Sequence, residues 1–335
     1  MKIIVPMAGR GTRMRPHTHT TPKPLLPVAG KPIVQRLVED LAAISPEPVD
    51  EVAFIVHERF GKEVEDHLKE IASGVGAEGT IHYQHTALGT AHAILSAKSA
   101  LSGKLIVAFA DTLFRADIKL DADADGVIWV NKVEDPRPFG VVKLSDDDHI
   151  TDFVEKPEEF VSDLAIIGIY YFKDGDQLRS ELEYLIENDI KDKGEYQLTN
   201  ALENMKSKGS KFKPGAVLEW MDCGNKNAMV DTNTRVLGHL PADGLVSATL
   251  SQENAVIIPP CFIDEDVHIV NSVVGPNVSV SQGAKIVDSV VKNSILGENS
   301  EVHQAVLDNS MLGNHTKYDG TAVDLSLGDH STVAH

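Results

Sequence analysis

The apolar run Ile3-Ile4-Val5 leads almost directly into Ala8-Gly9-Arg10-Gly11-Thr12-Arg13-Met14-Arg15-Pro16, and the block Pro22-Lys23-Pro24 follows. A strand ending in small residues and cations constrains the fold, because backbone N–H groups converge on an anion only where side chains are minimal. The segment predicts a buried strand with a polyphosphate site at its carboxyl end. Charge placement agrees. The 335-residue chain carries 31 Lys and Arg against 50 Asp and Glu, a net charge of −19, yet Lys2, Arg10, Arg13, Arg15, Lys23, Lys31 and Arg36 all precede the first acid, Glu39. A basic patch in an acidic molecule attracts small anions while the rest of the surface repels a nucleic-acid backbone. No nucleic-acid partner is expected.

Up to about residue 235 the pattern alternates between strand and helix. Glu51 to His57, Thr80 to His85 and Leu105 to Ala110 read as strands. Between them come an amphipathic helix with Ile33, Leu37, Val38, Leu41 and Ile44 on one face, a charged helix from Lys62 to Ser73, and an alanine-rich helix from Thr90 to Leu101. This order predicts an α/β fold with a mostly parallel sheet covered by helices on both faces. Ligands of such sheets bind beyond the carboxyl ends of the strands, where the glycine turn, Gln84 and Asp111 all fall. Strands at Val127 to Val133, Gly140 to Leu144, Ile150 to Val154 and Ala165 to Phe172 come next, then helices near 175 to 190, 195 to 208 and 225 to 237.

After residue 241 aromatics nearly vanish and helical periodicity stops. Three related phrases recur: Asn271-Ser272-Val273-Val274-Gly275, Asn293-Ser294-Ile295-Leu296-Gly297 and Asn309-Ser310-Met311-Leu312-Gly313. An aliphatic residue about every six positions, with Asn and Gly at the corners, is the pattern of a parallel β-helix, here of roughly four coils. The chain thus divides into 1–240 and 241–335. So short a solenoid exposes its ends, and pairing with a second copy is the expected remedy, giving a homo-oligomer.

No apolar stretch approaches the roughly 18 to 20 residues that cross a bilayer, so no membrane partner is expected. The N-terminus shows no signal-peptide cleavage site. With only Cys223 and Cys261, a reducing cytoplasm is the simplest location.

The G-x-G-T-R and P-K-P elements together resemble the N-terminal motif of the sugar-1-phosphate nucleotidylyltransferases, and the second half resembles the hexapeptide-repeat left-handed β-helix that follows the catalytic domain in many of them. The resemblance implies a Rossmann-like nucleotidyltransferase domain followed by a short left-handed β-helix. It implies transfer of a nucleotidyl group from a nucleoside triphosphate to a sugar 1-phosphate, releasing pyrophosphate, with glucose 1-phosphate and dTTP or UTP the leading substrates. Such a reaction needs alignment of anions and neutralisation of charge more than a nucleophilic side chain.

Residue by residue, the resemblance assigns catalytic roles to Arg13, Lys23, Asp111 and Asp222. Arg13 would embrace the triphosphate with its planar fork, and Lys23 would hold the phosphate region. Asp111, at a strand end where Ala110 replaces the family's usual glycine, and Asp222, within Trp220-Met221-Asp222-Cys223-Gly224, would hold Mg²⁺ between them. Ala8, Gly9, Gly11, Thr12, Gln84, Gly89 and Thr90 would contact the nucleotide, with the Gln84 amide facing the base and Gly89 permitting its close approach. Gly140, Glu155, Lys156, Gly168 and Tyr170 would bind the sugar phosphate. Ile166 stands where many relatives carry Asn, which leaves the sugar open. The competing expectation is a catalytically silent sugar-nucleotide sensor of the same fold, and retention of the six charged residues Arg13, Lys23, Asp111, Glu155, Lys156 and Asp222 argues against it. Acyl transfer on the β-helix, with His303, His315 or His330, is not expected from so short a solenoid.

Overall fold

The computed structural model describes residues 1–116, 124–321, 323 and 325–332. The chain forms two compact units, one of Met1–Pro27 with Lys31–Asn225 and one of Val28–Gly30 with Lys226–His335.

The chain begins with β1 (Lys2–Pro6) and the short strands β2 (Pro27–Val28) and β3 (Lys31–Pro32), followed by α1 (Ile33–Ile44), β4 (Glu51–Val56), α2 (Gly61–Gly74), β5 (Glu78–Tyr83), α3 (Thr90–Leu95) and β6 (Leu105–Ala108). Then come β7 (Thr112–Arg115), β8 (Gly126–Lys132), β9 (Gly140–Leu144), β10 (Ile150–Glu155), β11 (Leu164–Phe172), α4 (Gly175–Glu187), α5 (Leu198–Ser207), β12 (Phe212–Ala216) and β13 (Glu219–Asp222). The expected apolar face of α1 is the buried one, with Val34 added to it. α3 is shorter than its alanine content suggested. Ser96 Oγ donates to the His92 carbonyl at 3.1 Å, a side-chain bond that competes with the helical ladder, and a 3-10 turn at Lys98–Ala100 follows.

The main sheet has the order β10-β9-β11-β6-β1-β4-β5, with β8 on β11 and β12 on β8. β6, β1, β4 and β5 run parallel, Lys2 lying opposite both Glu51 and Leu105, while β11 is antiparallel to β6, β8 and β9. Ile4, Ala53, Ile55, Leu105 and Val107 pack with side chains of α3, α4 and α5. Their alternates Ile3, Val5, Val52, Phe54 and Ile106 are also fully buried, so both faces of the parallel core are covered, as continuous aliphatic runs require.

β7 and β13 form a separate antiparallel ribbon in which Asp222 lies opposite Thr112. That pairing was not foreseen. It places the residues Asp111 and Asp222, expected to hold the metal, at one end of the ribbon.

The second unit begins with α6 (Lys226–His239). After it, every strand pairing among the described residues is parallel. One face stacks Ser251–Glu253, His268–Val270, Lys285–Val287, Glu301–His303 and Lys317–Asp319. A second and a third face stack in the same way, and the strands Val290–Leu296 and Val306–Leu312 run from one into the other. This is a parallel β-helix filled by Val, Ile, Leu and Ala. Corner residues 15 to 17 apart stack on one another: Asn254 donates to Asn271 and Asn271 to Asp288, and Asn277 donates to Asn293 and Asn293 to Asp308, at 2.9 to 3.0 Å. Asn254, Asn271, Asn277, Asn293 and Asn309 all have φ between 44° and 62°, the left-handed region that Asn enters at the least cost among residues with a β-carbon. Among the described residues, no helix is long and apolar enough to cross a membrane.

Candidate active site

Beyond the carboxyl ends of β1, β5 and β6 lies a cavity of about 400 Å³, entirely within the first unit. The loop after β1 gives it Ala8, Gly9, Gly11, Thr12 and Arg13. Gly11 is left-handed, with φ 58°, and a β-carbon there would sit 3.0 Å from Lys23 Cβ and 3.1 Å from Thr18 Cγ2. Its carbonyl accepts from Thr18 Oγ1 at 2.8 Å and from the Met14 N–H at 2.9 Å. Met14 is fully buried and Arg13 exposed, so the 3-10 turn Thr12–Met14 is anchored by one side chain while its neighbour Arg13 stays accessible on the cavity lining.

Lys23 lines the cavity from the 3-10 turn Lys23–Leu25 and is almost wholly buried. Its Nζ donates to Asp111 Oδ2 at 3.2 Å. A buried ammonium is costly unless paired, and this carboxylate supplies the partner. Asp111 itself is half-exposed and faces the cavity. The Cys223 N–H donates to the Asp111 carbonyl at 3.0 Å, and Asp222 Oδ1 accepts from the Gly224 N–H at 2.8 Å. Asp222 does not itself line the cavity; its neighbour Gly224 does. Trp220 Nε1 donates to Thr112 Oγ1 at 2.5 Å, pinning the ribbon at whose end both aspartates lie in the chain. Among the described residues no three His, Cys, Asp or Glu side chains form a metal cluster. Two hard carboxylates suit magnesium nonetheless, since that ion keeps several waters and takes one or two protein carboxylates together with substrate phosphates.

Gln84, Gly89 and Thr90 also line the cavity. Gln84 is buried, and its Nε2 lies 3.2 Å from Nδ1 of His92, whose pKa burial lowers. The Thr90 hydroxyl donates to Gln197 Oε1 at 3.1 Å and accepts from the Leu198 N–H at 2.8 Å, so it serves to fasten the chain before α5. Gly89, with φ 118°, has a structural reason of its own. A β-carbon there would lie 2.4 Å from the Tyr196 carbonyl oxygen.

The residues expected for the sugar phosphate form an adjacent group and do not line this cavity. Thr199 Oγ1 donates to Glu155 Oε2 at 3.2 Å, Lys156 Nζ lies 3.6 Å from Glu155 Oε1, and a β-carbon on Gly140 would approach Glu155 Oε2 to 3.1 Å. The Gly168 carbonyl accepts from the Phe109 N–H at 3.0 Å, and Phe109, a cavity wall, meets Tyr170 edge-on at 6.3 Å between centroids. Burial pushes the Tyr170 phenol above its usual range, with the charges of Glu155 and Asp111 adding to the effect. One buried ring therefore feels carboxylates from both groups. Phe109, Glu195, Thr199 and His92 were not singled out from the sequence. Phe109 and Glu195 line the cavity, and Thr199 and His92 hold residues of the site.

Residues 2–238 match the model of the family described as nucleotidyl transferase. The chain belongs to that family. This bears out the resemblance to sugar-1-phosphate nucleotidylyltransferases carried by the glycine loop and the Pro-Lys-Pro block. It is 31% identical over 304 residues to the glucose-1-phosphate thymidylyltransferase of Streptomyces antibioticus, covering 87% of this chain and 81% of that one. It is 29% identical over 320 residues to the enzyme of the same name from Streptomyces griseus, covering 88% and 87%. It is 30% identical over 265 residues to the bifunctional protein GlmU of Methanococcus maripaludis, covering 77% of this chain but only 60% of that relative's length. A solved UDP-glucose pyrophosphorylase complexed with UDP-glucose superposes with a TM-score of 0.59 at 24% identity, over 71% of this chain and 99% of its own, and so shares the fold.

Proposed function

We propose that this chain transfers a nucleotidyl group from dTTP or UTP to glucose 1-phosphate. An oxygen of the sugar phosphate bonds to the α-phosphorus, the α–β phosphoanhydride breaks, and pyrophosphate leaves. The observation that carries this reading is the buried Lys23 ammonium bound to Asp111 in a cavity that also holds the glycine loop and Arg13. Here a fixed cation, a carboxylate for a divalent ion and a bed of backbone N–H groups share one small space, which is what charge neutralisation on a transferring phosphoryl group needs.

In this reading Ala8, Gly9, Gly11 and Thr12 cradle the triphosphate and Arg13 grips its oxygens in a bidentate manner. Lys23 steadies the charge near the α-phosphate. Asp111 and Asp222 would hold Mg²⁺, which when bound screens the negative charge of the two substrates from each other. Gln84 presents its amide to the pyrimidine edge, with His92 fixing its rotamer. Glu155, held by Thr199, takes sugar hydroxyls, Lys156 takes the sugar phosphate, and Gly140, Gly168 and Tyr170 shape the surface beneath them.

A matrix of nucleoside triphosphates against sugar 1-phosphates, read by pyrophosphate release, tests the reading. Release is expected only when both substrates are present, and highest with a pyrimidine nucleotide and glucose 1-phosphate. Tight binding of a sugar nucleotide with no turnover in any combination would refute it.

A further inference from the structure

A second concavity of about 240 Å³ lies beside the first and shares Ala8 and Gly9 with it. Its wall is basic. Arg10 and Arg15 come from the glycine loop, His19 from the turn that follows, and His57 and Arg59 from the segment after β4. Among the described residues no acidic side chain lines it, and Glu58, the acid next in sequence, lies 3.6 Å from His85 Nδ1. The Arg59 guanidinium folds along the His57 ring, Nε 3.4 Å from Nδ1 and Nη2 3.5 Å from Nε2, and the Arg59 N–H donates to the same Nδ1 at 3.2 Å. The side chains of Arg10 and Arg15 make no ion pair or hydrogen bond with any described residue.

Three guanidinium groups around one hollow repel one another, and in a chain of net charge −19 carboxylates to relieve them are plentiful. Their absence from this wall is the chemistry of an anion site. Thr20 and Thr21 add hydroxyl donors, whereas Thr18 donates to Gly11. At about 240 Å³ the hollow is smaller than the first cavity, a size that suits one or two phosphoryl groups.

We propose that this hollow is a second anion site, taking a compact phosphate-class anion, pyrophosphate or orthophosphate, separately from the triphosphate in the larger cavity. The shared wall at Ala8 and Gly9 makes pyrophosphate leaving the first cavity one source, and phosphate in solution is the other. Only the first source rests on the transfer reaction; the site itself does not, so binding in a protein without turnover would sink the proposed function and leave this inference standing.

Calorimetric titration of the full chain with pyrophosphate, orthophosphate and dTTP tests it, on wild type, Arg13→Ala and the double variant Arg15→Gln with Arg59→Gln. Pyrophosphate or orthophosphate is expected to bind wild type and Arg13→Ala within about threefold of each other, and at least about tenfold more weakly to the double variant, which loses two charge-assisted contacts. A tenfold preference for pyrophosphate assigns the leaving group as the source, and equal affinities assign phosphate from solution. The inference fails if neither anion binds wild type at millimolar concentration or if Arg13→Ala alone abolishes binding. It fails equally if the double variant weakens dTTP by the same factor as pyrophosphate, since the hollow is then only the far end of the triphosphate site. Arg15→Lys with Arg59→Lys keeps the charge and controls for folding; it should retain most of the binding.

Discussion

Replacing Gly89 by Ala separates two explanations for that residue, close approach of a base and close packing of the protein on itself. With φ 118° the backbone is in a region that only glycine occupies freely, so any β-carbon costs about 1 to 3 kcal/mol in strain. The added methyl would also sit 2.4 Å from Tyr196 O and 2.7 Å from Tyr196 N, and backbone atoms cannot swing aside as a side chain does. Those same atoms make two hydrogen bonds, Tyr196 N to Leu88 O and Ala91 N to Tyr196 O, both at 2.9 Å. Losing one of them adds about 1 kcal/mol. A total of about 2 to 4 kcal/mol follows. Both tryptophans, Trp129 and Trp220, lie in the first unit, so their fluorescence reports its unfolding without interference from the β-helix. With a urea slope of about 2 to 3 kcal/mol per molar, the midpoint should fall by about 1 M. An unchanged midpoint together with a raised KM for the nucleotide would refute the packing explanation and restore Gly89 to the ligand alone.

Asp111→Asn should lower pyrophosphate release by about 10² to 10³, as loss of a group that stabilises transition-state charge does, and should also lower the urea midpoint, because the buried Lys23 ammonium loses its charged partner; a fully active variant would overturn the role given to this carboxylate. Asp40 offers a pH test. Burial raises its carboxyl to about 6, against the opposing pull of Arg36, so the folded state holds a proton that the unfolded state has already released. Its contribution is present at about pH 4 and is lost as pH rises through about 6, and Asp40→Asn should therefore gain about 1 to 2 kcal/mol over wild type at pH 7 and nothing near pH 4. Urea midpoints compared across that range check it, and a difference independent of pH would count against it. In the β-helix, Asn293→Ala removes a residue at φ 44° that accepts from Asn277 and donates to Asp308, and about 2 kcal/mol of destabilisation is expected as a lowered thermal transition by circular dichroism.

Arg13, Lys23 and Asp111 were legible in the sequence because each sits in a local phrase whose chemistry is nearly complete within a few residues. The ion pair between Lys23 and Asp111, which spans 88 positions, was not, because no spacing connects one phrase with the other. Thr199 shows the same limit more sharply. A threonine at the start of a helix looks like any other until β10 carries Glu155 to within 3.2 Å of it. Gly89 was read as room for a ligand because a glycine before a helix says only that a side chain is unwelcome, and the obstructing atoms belong to Tyr196 on a distant loop.

The solenoid was readable for the opposite reason. Its contacts are long-range, yet they recur at a fixed interval, so the sequence repeats what the structure stacks. Asn271, Asn293 and Asn309 each begin the same phrase and each takes the left-handed conformation. The coil length of 17 or 16 residues did not follow from an aliphatic period near six. The step shortens from 17 to 16 residues where the strands Val290–Leu296 and Val306–Leu312 run from one face into the next without a separate corner loop. Periodicity thus recorded which residues point inward, while corner geometry, set by a single left-handed Asn and the bonds its amide makes to the coils above and below, decided how many residues a turn needs.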